Sequence, residues 1–449
     1  MKYDDTAQQN WFQHKVIWLF GVFLFMSACS PTRFYQHGLR RQILENKTFK
    51  QSFTGFSLFD PAKEKFLCDI NGAHHFIPAS TNKLLTLYTC LQLLGDSLPS
   101  FQYTLDSQAL VIFPMGDPCF LHPQFEAWQS GFQFIQAAPT RNKGWEINPS
   151  FPSQAVLGPG WAWDDRNEDY SAEITAFPVY GNVRRVYSLD SCHLTVDPPY
   201  WRAFLHPDSM LLSKEVLDFS ARNQLFYHPQ KQKFVEFEQW APIENAASYV
   251  SDLVSDTLHR PFVPIKAAAG VHKEVWYGTP VDTVYRRMMH QSDNFIAEQL
   301  LLLCAGQKTG QLKQDTLIRW AKDSIFSFLP QKIRWVDGSG LSRYNLNTPQ
   351  NNVAILHRLW QTQTQERLFS LFPEGGNTGT LKGWYKSKDG TPYIYAKSGS
   401  MSGVQCLSGY LITRRGKVLI FSFMHNNFVG SGKAWKTAMQ EILDQIRYD

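Results

Sequence analysis

Three short clusters in this chain carry residue types that can do chemistry together: Ser80-Thr81-Asn82-Lys83, Ser292-Asp293-Asn294 and Lys397-Ser398-Gly399. A serine hydroxyl is a weak nucleophile at neutral pH and needs a base within hydrogen-bond reach. Residues i and i+3 share one face of a helix, so the spacing predicts the Lys83 amine beside the Ser80 oxygen. Pro78 and Ala79 precede the serine, and Leu84, Leu85, Leu87, Tyr88, Leu91 and Leu94 follow it. That pattern predicts a buried helix with Pro78 near its start. Burial there would lower the Lys83 pKa, which a neutral, proton-accepting amine requires. A serine in the first turn also lies near the positive end of the helix dipole. Taken alone, the tetrad equally describes an amphipathic helix with a capping serine and a snorkelling lysine.

The second cluster precedes Phe295, Ile296, Ala297, Leu300, Leu301 and Leu303 and so sits where helix N-caps sit. The third follows Tyr393, Ile394, Tyr395 and Ala396, which predict a strand ending in Lys397-Ser398-Gly399-Ser400. Each has a bland reading: a cap for the second, a basic strand end before a turn for the third. In this order, however, they spell S-x-x-K, S-D-N and K-[ST]-G, the signature set of serine penicillin-recognising enzymes. In that setting Ser292 would relay a proton between Lys83 and the leaving amine, and Asn294 would bind a substrate amide. Lys397 would attract a substrate carboxylate, beside the Ser398 hydroxyl. Gly399 would let an extended ligand approach the strand edge. The backbone N–H groups of Ser80 and Ser400 would face the developing oxyanion, such donors typically contributing about 3 kcal/mol each.

The arrangement resembles the class C low-molecular-mass penicillin-binding proteins, the D-alanyl-D-alanine carboxypeptidase/endopeptidase family. Beyond the clusters, the resemblance rests on Phe76-Ile77-Pro78-Ala79-Ser80, Met115-Gly116-Asp117-Pro118, and Gly160-Trp161-Ala162-Trp163-Asp164-Asp165. It also rests on the run from Val281 to Leu301, on Asp337-Gly338-Ser339-Gly340-Leu341-Ser342-Arg343, on Gly379-Thr380-Leu381, and on Lys397 through Gly409-Tyr410. It covers the chain from about Gly55 to the C-terminus, more weakly from Val183 to Arg260. Ser398 stands where threonine is commoner, which keeps the hydroxyl. The resemblance implies an α+β fold, a serine β-lactamase/penicillin-binding-protein-like antiparallel sheet flanked by helices. It further implies acylation of Ser80 by a peptidoglycan stem peptide ending in D-Ala-D-Ala, or by a β-lactam as covalent inhibitor, then hydrolysis. A β-lactamase or esterase using the same site, and a non-catalytic wall-binding lipoprotein, are the alternative readings.

The long gap between Ser80 and Ser292 predicts an insertion within one catalytic domain. Residues 51–105 form its first part, 106–265 the inserted domain or domains, and 266–449 its second part. Aromatics, prolines and short alternating runs make the insertion β-rich. Gly55–Phe59 with Lys65–Ile70, and Gln405–Ile412 with Lys417–Met424, read as hairpins, and 433–447 reads as an amphipathic helix.

Val16 to Met26 is an apolar run too short to span a bilayer and suited to a signal-peptide core. Met26-Ser27-Ala28-Cys29 resembles a lipoprotein cleavage box. Residues 1–28 are thus expected to be a lipoprotein signal peptide and 29–50 a tether, with Cys29 lipidated and the enzyme periplasmic on a membrane anchor. A net charge of +5 spread along the chain shows no nucleic-acid-binding cluster. No metal-ligand motif or phosphate loop is present, so neither metal nor cofactor is expected. Cys90 and Cys304 lie in apolar surroundings and read as buried free thiols.

Overall fold

The computed structural model describes residues 34–448 apart from 147–155, 191–192, 211–216, 222, 229–236 and 267–271. The Val16–Met26 run, Cys29 and Cys192 lie outside the described residues.

One five-stranded antiparallel sheet runs in the order Ile394–Met401, Val404–Ile412, Val418–Asn426, Phe53–Asp60, Lys65–Ile70. Both expected hairpins are present in it, and the first strand of the chain pairs with the last, Phe56 opposite Phe423. Side chains alternate across a strand, so the central strands here serve two cores. Leu419, Phe421 and Phe423 point to one face with Leu407 and Leu411, where the helix Lys433–Tyr448 packs Trp435, Met439, Ile442 and Ile446. Ile420 and Tyr410 point to the other face, towards a larger helical core.

That core is built around the helix Asn294–Thr309, whose residues 295–305 are all buried. An all-round apolar helix belongs inside a protein rather than on its surface. Lys83–Leu93, Val281–His290, Gln314–Asp323 and Pro349–Thr362 pack about it. Cys90 and Cys304 meet between the first two helices with sulfurs 3.6 Å apart, both buried and free.

The intervening region is β-rich. A second five-stranded sheet runs in the order Val263–Pro264, Asn142–Trp145, Ala109–Pro114, Ser97–Leu105, Glu274–Pro280, with a core of its own including Phe101, Ile112, Ile135, Trp201 and Phe262. Two three-stranded sheets accompany it. The boundaries expected at 105/106 and 265/266 cut through this structure. Ser97–Leu105 pairs with Ala109–Pro114 on one side and with Glu274–Pro280 on the other, Tyr103 lying opposite Glu274. A hydrogen-bonded ladder between distant segments thus carries the region from residue 97 to residue 280. No described helix is long and apolar enough to cross a membrane.

Candidate active site

Ser80 sits in a single 3-10 turn, Ala79–Asn82, that runs directly into the helix Lys83–Leu93. Ala79, just before it, holds a φ of 46°, a left-handed conformation that a non-glycine residue rarely adopts. Two close approaches hold this turn in place. Gly399 of the strand Ile394–Met401 lies so near that a Cβ there would come within 2.9 Å of the Ser80 and Thr81 nitrogens. Gly340 has a φ of 83°, and a Cβ on it would come within 2.0 Å of the Ala79 carbonyl oxygen. The requirement for glycine at 399 is therefore met inside the protein, by strand against nucleophile turn. That contact also brings the strand's backbone alongside the Ser80 N–H.

Lys83 is fully buried, with its Nζ 3.1 Å from Ser80 Oγ. The same nitrogen donates to Asn294 Oδ1 at 2.7 Å and to the Ser339 carbonyl at 2.8 Å. Two acceptors occupy the two N–H bonds of a neutral amine, which leaves its lone pair facing the Ser80 hydroxyl. Burial pulls the Lys83 pKa down to about 8, against the raising effect of the Glu298, Asp337 and Asp293 carboxylates. This arrangement can take a proton from Ser80 near neutral pH.

Asp293 is the N-cap of the helix Asn294–Thr309, accepting from the Ile296 N–H at 3.0 Å, and it pairs with Arg287 at 3.0 Å. Ser292, with a φ of 58°, turns its hydroxyl away from that cap. Its Oγ accepts from Lys397 Nζ at 2.9 Å. Lys397 is also fully buried and donates to the Ser398 carbonyl at 2.7 Å. Burial first, and the nearby Lys83 second, hold its pKa well below that of an ordinary lysine. Ser398 Oγ donates to Thr380 Oγ1 at 2.7 Å, and Ser400 Oγ donates to Gln405 Oε1 at 2.8 Å. The sequence reading had Ser292 relay a proton between Lys83 and the leaving amine, and Asn294 bind a substrate amide. The structure puts Ser292 on Lys397 and Asn294 Oδ1 on Lys83, while Asn294 Nδ2 donates to the Tyr170 carbonyl at 3.2 Å.

Residues 39–192 and 263–446 match the D-Ala-D-Ala carboxypeptidase 3 (S13) family. The chain belongs to that family. It is a serine-type DD-peptidase that acts on peptidoglycan. It is 24% identical over 430 residues to the D-alanyl-D-alanine carboxypeptidase DacB of Haemophilus influenzae, covering 86% of this chain and 88% of the relative. It is 22% identical over 442 residues to the D-alanyl-D-alanine carboxypeptidase of Actinomadura sp. (strain R39), covering 86% and 80%. The fold is similar to the crystal structure of penicillin binding protein 4 (dacB) from Haemophilus influenzae, with a TM-score of 0.70, 19% identity, and coverage of 94% of this chain and 100% of that one.

In this S13 chain, the support beneath the lysine comes from residues that the motif reading did not single out. Glu298, one turn beyond Asn294 and fully buried, accepts from the Gly338 and Ser339 N–H groups at 2.9 and 2.7 Å and from Gln314 Nε2 at 2.9 Å. It thereby fixes the carbonyl of Ser339 against Lys83. Burial, and then the charge of Asp337, push the Glu298 pKa up to about 7. Asp337 is itself held by the Gly340 and Ser342 N–H groups, Asn345 Nδ2 and Trp161 Nε1 at 2.7–3.0 Å. The only sequence signal for this loop was the Asp337–Arg343 run, with glycines at 338 and 340.

Ser80 opens into a cleft of about 600 Å³, a size suited to a peptide-sized ligand. Asp164, Asp165 and Tyr170 form one wall, and Arg343, Met401 and Ser402 another. Charges of both signs therefore border the nucleophile.

To serve as base the Lys83 amine must be uncharged, so in that role its pKa would set the acid limb of acylation. The acylation rate constant is expected to level off above about pH 8 and to fall about tenfold per unit below it, measured by stopped-flow with a chromogenic β-lactam. A rate flat from pH 5 to 9 would remove Lys83 from the role of base. The negative charge of Glu298 raises the Lys83 pKa, so Glu298→Gln should move that limb to lower pH. The same pH series on the variant checks the shift, and an unmoved limb would show that Glu298 acts on structure alone.

Proposed function

We propose that Ser80 is the residue acylated during peptidase turnover and that Lys83 is its general base. The observation that carries this reading is the Lys83 amine, dry, with two acceptors filled and its third direction on Ser80 Oγ. Ser80 Oγ attacks the carbonyl carbon of the penultimate D-Ala while its proton passes to Lys83 Nζ. The Ser80 and Ser400 N–H groups receive the oxyanion. Collapse breaks the C–N bond; Ser292, held by Lys397, gives its hydroxyl proton to the departing amine, and the proton that Lys83 took from Ser80 replaces it, so that Lys83 is neutral again. Water then hydrolyses the ester, with Lys83 again as base. Lys397, with the hydroxyls of Ser398 and Thr380 beside it, would receive the terminal carboxylate of the peptide.

β-Lactams present a reactive amide beside a carboxylate and would take the same path to a stable acyl-enzyme. One related crystal structure, penicillin binding protein 4 (dacB) from Haemophilus influenzae, is a complex with a β-lactam. A peptidoglycan substrate lies outside the cytoplasmic membrane, so the apolar run and Cys29 support an exported, lipid-anchored enzyme.

Fluorescent penicillin should label the wild-type chain covalently and leave Ser80→Ala unlabelled. Lys83→Ala should abolish labelling, whereas Lys397→Ala should label slowly, chiefly through weaker capture, with a loss on the order of 100-fold in kcat/KM for a D-Ala-D-Ala peptide. Labelling that survives in Ser80→Ala would overturn the assignment, and rapid penicillin turnover without D-Ala release would favour the β-lactamase alternative. Cys29→Ala should move the enzyme from the membrane fraction to the soluble fraction on cell fractionation. An unchanged distribution would eliminate lipidation at Cys29.

A further inference from the structure

A second cavity, of about 380 Å³, lies behind the wall of the catalytic cleft. The short turn Trp163–Asn167 separates the two. Asp164 and Asp165 line the cleft, while Trp163, Arg166 and Asn167 line the second cavity. In that cavity lies Arg184, from the strand Val183–Ser188, only 3% exposed. Its Nη1 donates to the Asn223 carbonyl and its Cζ lies 5.1 Å from the centre of the Trp201 ring, but its Nε has no partner. The Ser171 hydroxyl, also 3% exposed and lining the same cavity, is likewise unpartnered.

Among the described residues no carboxylate neutralises Arg184 by an ion pair. Glu244 and Glu173 line the cavity too, but each is engaged by other groups: Glu244 pairs with Arg166 at 2.8 Å, and Glu173 accepts from the Asn245 and Ala246 N–H groups at 2.8 and 2.9 Å. A buried guanidinium with no anionic partner and an unpaired Nε, beside a buried hydroxyl with no partner, is costly, and a native fold rarely keeps both beside one cavity without use for them. Leu157, Pro242 and Ile243 supply an apolar wall opposite, and Trp163, 81% exposed, stands at the rim.

We propose that this cavity binds a carboxylate-bearing fragment of peptidoglycan, with Arg184 and Ser171 donating to the carboxylate and Trp163 covering its apolar flank. The inference rests on the peptidase reading above and extends it. The enzyme would grip a second part of the wall polymer while the cleft works on the scissile bond. Two fragments offer this chemistry, the terminal carboxylate of a stem peptide and the lactyl carboxylate of N-acetylmuramic acid.

The test uses the full chain acylated with benzylpenicillin, so that the cleft is filled, titrated by calorimetry with a stem tetrapeptide and with N-acetylmuramic acid. Each probe is paired with its carboxamide. Saturable binding is expected for one acid, weakened about tenfold or more in its carboxamide and in Arg184→Met, and partly kept in Arg184→Lys. The acid that binds identifies the source. Should Arg184→Met not fold, as judged by its circular dichroism and melting curve, Ser171→Ala serves in its place. Equal binding of acid and amide, no binding of either acid, or binding indifferent to these substitutions would overturn the proposal. If the wild-type chain takes up no penicillin, the peptidase reading of Ser80 falls instead, and the same titration of Ser80→Ala with and without Arg184→Met still decides the cavity.

Discussion

One buried amine sets the terms for everything around it. Desolvation lowers the pKa of Lys83, and the carboxylates of Glu298, Asp337 and Asp293 raise it. The two effects oppose each other and leave the group near the pH at which it can both accept and return a proton. The hydrogen bonds to Asn294 and Ser339 then decide which way its lone pair points. Direction matters as much as basicity, because a lone pair aimed elsewhere would leave Ser80 an ordinary alcohol.

Each of the groups that aim the amine comes from a different stretch of chain. Asn294 opens a deeply buried helix, Ser339 lies in a loop clamped by Glu298 and Asp337, and the Ser80 turn is wedged between Gly340 and Gly399. The left-handed conformations at Ala79 and Ser292 each cost on the order of 1 kcal/mol or more, and they persist because the packing on both sides leaves the chain no alternative. The sheet and the helical core are thus the means by which three remote segments are held within hydrogen-bond distance.

How much of this was legible in the sequence follows from range. The Ser80–Lys83 contact depends on helical spacing and was readable locally. So were the hairpins at 53–70 and 404–426 and the terminal helix, where alternation or helical period is clean. The resting hydrogen-bond partners of Ser292 and Asn294 were not readable, because Lys397 and Lys83 lie far away along the chain. Glu298 was hidden for a different reason: a glutamate amid leucines looks like one polar position on an apolar helix until its two backbone donors are seen. The pairing of the strand at 97–105 with that at 274–280 was not readable, because the two share no local signal.

The order of strands in the main sheet has a consequence for how the protein comes into being. Phe53–Asp60 lies between its own hairpin partner and Val418–Asn426, so the early strand lacks its central neighbour until the tail of the polypeptide has been synthesised. The seat for the nucleophile is closed by Gly399, which also arrives late. The pocket is therefore incomplete until these remote strands have paired.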